Sequence, residues 1–298
     1  MEKLRVGLEW FMNPDHIPMM IGIKKGWFEE AGVSVEMIEP EEHFDAIDEI
    51  KAGSMDIAIT EPIHLVEDKA NDHDIVGFGR FLHTNGGVMY VKGKGIERPK
   101  DMVGKRVQYP GAPGIGGLAI VKTMVEADGG SCSMEDFTPV NNGFYHTDAL
   151  ENDKADLATL IFRNFEIEEA KHKGLDVDFF ALKDWGVPDF CQLIFITAPD
   201  VLEKRQQAIQ AFLKVIRKAI DFIYENPEEA KNIYFDYTGS DKEDVLNKAV
   251  TDATVPCFTF DLSMSADYYD QLQKWMKETG KIDRVIDPEV YWTNKLSL

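Results

Sequence analysis

Cysteine, positive charge and long apolar runs are scarce in this chain, and each shortage removes a class of explanation. Only Cys132, Cys191 and Cys257 occur in 298 residues, far apart and odd in number. That argues against a disulfide framework or a C-x-x-C metal site and predicts buried or half-buried free thiols. Lys and Arg number 32 against 53 Asp and Glu, a formal net charge of −21. Nucleic acid or an anionic membrane surface would need a basic patch, so neither is a predicted partner. No apolar run approaches the roughly 20 residues needed to span a bilayer, so direct membrane insertion is not predicted. The first strand is expected to open within a few residues of Met1, so no signal peptide is predicted within this chain. The predicted location is periplasmic or cell-surface if an export signal was trimmed, and cytoplasmic otherwise. Catalytic devices are missing too: there is no G-x-S-x-G elbow, no H-E-x-x-H and no cluster of metal ligands, so no metal is predicted.

What is present is alternation. Strand-like and helix-like segments follow one another through the first two thirds, as in parallel sheets built from crossover units. Leu4, Val6 and Leu8 mark a strand, followed by a helix from about His16 to Lys25. Val33 to Ile38 alternates as a strand, Phe44, Ile47 and Ile50 recur at helical spacing, and Met55 to Thr60 reads as a buried strand before a helix opened by Pro62. Asp74 to Leu82 is another strand, and Gly86-Gly87 marks a turn into Val88 to Lys92. Strands are predicted again at Arg106 to Pro110, Phe137 to Asn142 and Ala155 to Phe162, with helices after the glycine loop and from about Thr147. Cys191 to Thr197 is apolar enough to be a strand returning to the first lobe. Ile209, Phe212, Leu213, Ile216, Ala219, Ile220 and Ile223 then form one helical face. No internal repeat is visible. The two crossings near residues 88–92 and 191–196 divide the chain into lobe one, residues 1–91 and 191–298, and lobe two, residues 92–190.

Polar and aromatic residues gather where these strands end: Glu9-Trp10, Thr60-Glu61, Tyr109 with YPGAPGIGG, Asn141-Asn142 and Arg163-Asn164. In open α/β sheets ligands bind beyond the carboxyl ends of the strands, so this convergence predicts a small-molecule site. Asn13-Pro14-Asp15 supplies turn and cap chemistry just after the first of them. In the loop, Gly111 and Gly114 could cradle a phosphate or carboxylate at a helix N-terminus, or could simply make a tight strand-to-helix turn. It lacks the G-K-[ST] ending of a Walker loop and the spacing of a dinucleotide fingerprint.

LEWFMNPDHIPMMIGIKKGWFEEAG (Leu8 to Gly32), SMDIAITEPIH (Ser54 to His64), the glycine loop and DWGVPDFCQLIF (Asp184 to Phe195) together resemble the thiamine-pyrimidine precursor (NMT1/THI5-like) family. The resemblance covers most of the first 225 residues. It implies the two-lobed α/β clamshell of the periplasmic-binding-protein type II fold, with a ligand cleft between lobes. Two functions follow from the family: solute-binding proteins for formylaminopyrimidine in transport systems with an ABC permease, and fungal enzymes that make hydroxymethylpyrimidine phosphate. In the enzymes, the resemblance implies, the histidine matching His64 is consumed as a substrate. A lysine four residues earlier holds pyridoxal phosphate, and a cysteine cluster precedes the strand at Leu193. Here the lysine position is Thr60, which cannot form an imine, and only Cys191 of the cluster is kept. VPDF with Gln192 is closer to the binding proteins.

The sequence therefore predicts binding of a small planar heterocycle, a thiamine-precursor aminopyrimidine, with no cofactor and no catalytic residue. Glu9 would accept from the amidine edge of the ring, in a position where the family more often has Asp or Asn. Trp10 and Trp185 would sandwich it, with Tyr109, Phe165 and Phe190 as further aromatic candidates. Asn13, Thr60, Glu61, His64, Asn164, Glu166 and Asp189 complete the candidate polar set. The alternative is a cytosolic pyrimidine-phosphate synthase that uses pyridoxal phosphate and His64 as substrates. A clamshell for another ligand, such as a flavin or a sulfonate, is a third option.

Overall fold

The computed structural model describes residues 1–39 and 46–296. Its strands, in chain order, are β1 Glu2–Gly7, β2 Val33–Ile38, β3 Ile57–Thr60, β4 Val76–His83, β5 Gly86–Val91, β6 Arg106–Gln108, β7 Thr138–Val140, β8 Leu157–Phe162, β9 Val177–Ala181 and β10 Gln192–Thr197. They form two five-stranded sheets, β2-β1-β3-β10-β4 and β7-β6-β8-β5-β9. The chain sorts into two compact units. Unit 1 comprises Met1–His83, Gln192–Gln273 and the chain from Arg284 on, and unit 2 comprises Thr84–Cys191 and Lys274–Asp283.

Unit 1 shows why its strands form where they do. Leu4, Val6 and Leu8 alternate and are fully buried, while Ile57, Ala58 and Ile59 are buried on both faces because β3 lies in the middle of the sheet. β1 runs parallel to β2 and β3, and β10 runs antiparallel to β3 and β4. The helix Gln206–Glu225 buries Ile209, Phe212, Leu213, Ile216, Ala219, Ile220 and Ile223, the face its spacing predicts. Phe212 stacks on Phe28 with ring centroids 5.6 Å apart and meets Phe195 of β10 edge-on at 5.0 Å. Of the predicted helix that begins the second crossover, Ala46–Ala52 is seen and Phe44 lies outside the described residues.

Unit 2 repeats this plan, although no repeat shows in the sequence. In unit 1 the backbone N–H of Arg5 donates to Asp56 Oδ2 at 2.8 Å, its Nε donates to the same oxygen at 3.1 Å and its Nη2 to Oδ1 at 3.1 Å. In unit 2 Arg106 does the same to Asp156, at 2.8, 3.1 and 2.7 Å. Each aspartate N–H returns a bond to the arginine carbonyl. One clamp thus ties the strand beside the central one, β1 in unit 1 and β6 in unit 2, to the loop before the central strand, β3 or β8.

Two readings of the chain are corrected here. Gly86 and Gly87 make no turn; they lie inside β5, which pairs with β8 and β9 in the unit 2 sheet rather than ending the first lobe. They are glycines because of close approach: a Cβ on Gly86 would stand 1.8 Å from Cys191 Sγ, and one on Gly87 2.1 Å from the Phe180 carbonyl oxygen. The strand β9 had no predicted counterpart, and residues 274–283 belong to unit 2 although the chain around them belongs to unit 1. The chain passes between units at His83/Thr84 and Cys191/Gln192, again inside the helix Ala266–Glu278, and back at Asp283/Arg284. All three cysteines are free thiols, Cys191 buried and the others half-buried.

Candidate functional site

In unit 1 the strand-end residues meet at one edge of the sheet, because β1 and β3 are parallel and both finish there. β1 ends at Gly7, and the chain bends through Glu9, Trp10 and Phe11 into a single 3-10 turn, Pro14–His16, that leads into the helix Ile17–Lys24. Asn13 caps that turn. Its Oδ1 accepts the Asp15 N–H at 2.8 Å and its Nδ2 donates to the Phe11 carbonyl at 2.9 Å. Being 1% exposed, Asn13 shapes the loop from within.

His16 closes the cap from the other side and is fully buried. Its Nδ1 accepts the Asn13 N–H at 3.2 Å, so the proton is assigned to Nε2, which lies 3.1 Å from both oxygens of Glu9. Burial pushes the ring toward its neutral form. The charge and hydrogen bond of Glu9, then the charges of Asp15 and Glu39, outweigh burial and raise its pKa above the ordinary histidine value. A second proton on Nδ1 would break the Asn13 bond, which limits that rise. Glu9 is therefore a carboxylate held from behind by an imidazole N–H, with its side chain 19% exposed. Beside it Trp10, half-buried, and Phe11, exposed, lie with ring centroids 4.3 Å apart, tilted by 58°.

At the end of β3, Thr60 is buried and its Oγ1 lies 3.1 Å from Nδ1 of His64, an exposed residue one turn along the helix Pro62–Ala70. Glu61 precedes that helix at its N-cap, half-buried. Thr60 thus helps to orient the histidine.

Unit 2 has its own strand-end group. β6, β7 and β8 are parallel, so Tyr109, Asn141-Asn142 and Arg163-Asn164 follow the same sheet edge. Several predicted ligand contacts also make bonds or packing contacts within the protein. Tyr109 is 1% exposed, its hydroxyl donates to the Gly114 carbonyl at 2.6 Å, and its ring fills the space where a side chain on Gly117 would sit. Phe190 is fully buried and stacked on Trp275 at 6.1 Å. Glu166 is buried, with its Oε2 accepting the Phe162 N–H at 2.9 Å. The glycine loop is a strand-to-helix turn in which Gly111 adopts a φ of +76° and Gly114 precedes the helix Ile115–Ala127. Asn141 Nδ2 ties the loop by donating to the Ala112 carbonyl at 3.2 Å. Trp185 is half-buried and edge-on to Phe180 at 6.3 Å, Phe165 and Asp189 are half-buried, and Asn164 is buried.

His16 is the residue sequence reasoning left out of the site. Its signal was there: a histidine three residues after an Asn cap, seven after a strand-end glutamate. A cavity of about 210 Å³ in unit 1 was also missed, lined by side chains of β4, β10 and residues 261–269. Its lining comes from segments up to 189 residues apart in sequence, between Arg80 and Tyr269, with no local pattern to mark it. Among the described residues, no group of His, Cys, Asp or Glu is placed to hold a metal ion, and no helix is long and apolar enough to cross a membrane.

Comparison with known proteins adds independent findings. The family model described as NMT1/THI5 like matches residues 13–230. A formylaminopyrimidine-binding protein of Halalkalibacterium halodurans is 29% identical, over 78% of this chain and 70% of that protein. A 4-amino-5-hydroxymethyl-2-methylpyrimidine phosphate synthase of Saccharomyces cerevisiae is 28% identical, over 98% of this chain and 86% of its own length. Among solved structures, the periplasmic aliphatic sulphonate binding protein of Escherichia coli superposes with a TM-score of 0.74, at 16% identity, covering 98% of this chain and 92% of that one. A Candida albicans protein with the generic periplasmic-binding-protein fold gives 0.71 at 14% identity, covering 99% and 97%. The fold is the two-lobed α/β type II fold of periplasmic binding proteins.

Proposed function

The chain belongs to the NMT1/THI5-like family, and from that premise we propose that it is a solute-binding protein for a thiamine-precursor aminopyrimidine, such as formylaminopyrimidine or hydroxymethylpyrimidine. The observation that carries this reading is the Glu9 carboxylate held by the buried His16, with the half-buried Trp10 next to it in the chain just beyond β1. An aminopyrimidine offers a flat ring and an edge with an exocyclic amine beside a ring nitrogen. Trp10 supplies the face for the ring, and an offset stack contributes about 0.5–1.5 kcal/mol beyond burial. Glu9 keeps lone pairs for the amine after accepting from His16, because a carboxylate has about four acceptor sites. His16 fixes the carboxylate so that little freedom is lost when the ligand arrives. A glutamate reaches one methylene further than the Asp or Asn more usual in the family at this place, which suits a ring set slightly further from the strand. The family's transport members suggest an ABC permease as partner and a periplasmic or cell-surface location, for uptake or salvage.

Native mass spectrometry of the purified protein tests for a retained pyrimidine, and calorimetry with formylaminopyrimidine tests the site. Trp10→Ala and Glu9→Gln should each weaken binding about 10- to 100-fold. Unchanged affinity in Trp10→Ala would remove the site from β1.

A second reading, a pyrimidine-phosphate synthase, is favoured by relatives with that name that match 98% of the chain. Against it stands Thr60, which occupies the lysine position and is engaged with His64. Thr60 does not fit a Schiff base with pyridoxal phosphate. Borohydride treatment of the protein mixed with pyridoxal phosphate should trap no specific adduct; one stoichiometric adduct would favour the synthase.

A further inference from the structure

We propose that unit 1 carries a second small-molecule site, the cavity walled by Arg80, Gln192, Ile194, Asp261, Ser263 and Tyr269, which takes a small α-hydroxy or α-amino carboxylate. The inference does not rest on the pyrimidine reading.

Three polar groups with unused hydrogen-bonding capacity point to a ligand. Gln192 is only 4% exposed, yet its side-chain amide makes no hydrogen bond among the described residues. Tyr269 is 1% exposed, stacked on Tyr291 at 5.4 Å, and its hydroxyl likewise has no partner among them. Arg80 is fixed by its Nε, which donates to the Ser263 carbonyl at 2.9 Å. Its Nη2 forms a long ion pair with Asp261 at 3.6 Å, which leaves most of the guanidinium's donor capacity facing the cavity. None of these groups is among the sealed polar atoms that lack a partner, so the free hydrogen-bonding positions of Gln192, Tyr269 and Arg80 open onto the cavity, where one polar ligand can reach all three. The sheet register supports the placement: Ile194 pairs with Arg80, so both project on the same face, and Gln192 lies two residues along β10 on that face.

The lining sets the ligand's chemistry. A guanidinium with open Nη groups matches the two oxygens of a carboxylate. Gln192 and Tyr269 each offer both a donor and an acceptor, so they require a ligand that can also donate. Asp261 stands at the rim, its side chain 68% exposed, held ionised by Ser263 and Arg80. It repels a phosphate dianion and accepts from a hydroxyl or ammonium next to the carboxylate. The volume of about 210 Å³ is the room of about seven waters, enough for a molecule of that size.

The test uses the full chain with L-lactate, L-serine and inorganic phosphate as probes, read by calorimetry and ligand-observed NMR. Lactate or serine should bind, with phosphate at least about tenfold weaker. Gln192→Leu and Tyr269→Phe remove groups that hold nothing within the protein, so both variants should melt at or above the wild-type temperature. Both should nevertheless lose about tenfold or more of the carboxylate affinity. Trp10→Ala should retain carboxylate binding, which separates this site from the pyrimidine site. The proposal is overturned if neither carboxylate binds at about 10 mM, if both variants bind as wild type does, or if phosphate binds as tightly as the carboxylates.

Discussion

His16 contributes to stability and to recognition through the same two bonds. Its Nδ1 holds the Asn13 N–H and its Nε2 holds Glu9, both in a fully buried position. His16→Ala would leave a cavity, an unsatisfied N–H and an unanchored carboxylate. The expected cost is about 2–4 kcal/mol in urea unfolding, with weaker pyrimidine binding as well. His16→Gln keeps a donor within reach of Glu9 and should recover part of the binding. Asp56 gives a pH signature. Burial would raise its pKa, but the Arg5 side chain and backbone, then Arg205, hold it below the ordinary aspartate value. A carboxylate depressed in the folded state contributes stability that is fully present above its unfolded pKa of about 3.9 and is lost as pH falls through the folded value. Urea midpoints measured from pH 6 down to pH 3 should therefore drop below about pH 4, and the drop should be shallower in Asp56→Asn.

The elements that hold the candidate site are strand-to-helix junctions, and their local chemistry was legible. Val33–Ile38 alternates as a strand and is one, and Pro62 opens the helix it predicts. Gly86-Gly87 misled because glycine signals a turn from sequence alone, whereas here it admits backbone and thiol atoms that arrive from residues 179–191. Substitution distinguishes kinds of close approach. Gly117→Ala would press on the root of the Tyr109 ring, which can yield only by turning a buried, hydrogen-bonded side chain, at a cost of about 1–3 kcal/mol and a loosened glycine loop. Gly87→Ala meets the Phe180 carbonyl, which cannot shift without breaking the β5–β9 ladder, and should cost more than about 3 kcal/mol by thermal or urea unfolding. Tyr109 and Phe190 show the same limit for aromatics: an aromatic at a strand end reads alike whether it faces a ligand or packs under its own helix.

Across the whole molecule, the two Arg–Asp clamps provide a test of how the units share stability. Asp56 is nearly buried, its side chain 8% exposed, and Asp156 is 24% exposed. Asp56→Asn should cost about 2–4 kcal/mol and Asp156→Asn about 1–2 kcal/mol, since exposure to solvent screens the second pair. The two sit in different units and share no partner, so the double variant should equal the sum of the singles to within about 0.5 kcal/mol. A larger deviation would show energetic coupling between the units. The fold class was readable at this scale because alternating strand and helix signals constrain topology, and a right-handed crossover leaves few alternatives. The equivalence of the units was not, because two residues per unit are too few to register as a repeat.

By itself the sequence determined the α/β class, the main strands and helices, the apolar face of Gln206–Glu225 and the kinship carried by its motifs, all of which depend on residues near one another along the chain. Tertiary structure alone decided that His16 backs Glu9, that Tyr109, Phe190 and Glu166 are engaged within the protein, and that Arg80, Gln192 and Tyr269 line one cavity. These outcomes depend on which side chains converge in space and on whether each polar group finds a partner there, and neither is encoded in local spacing.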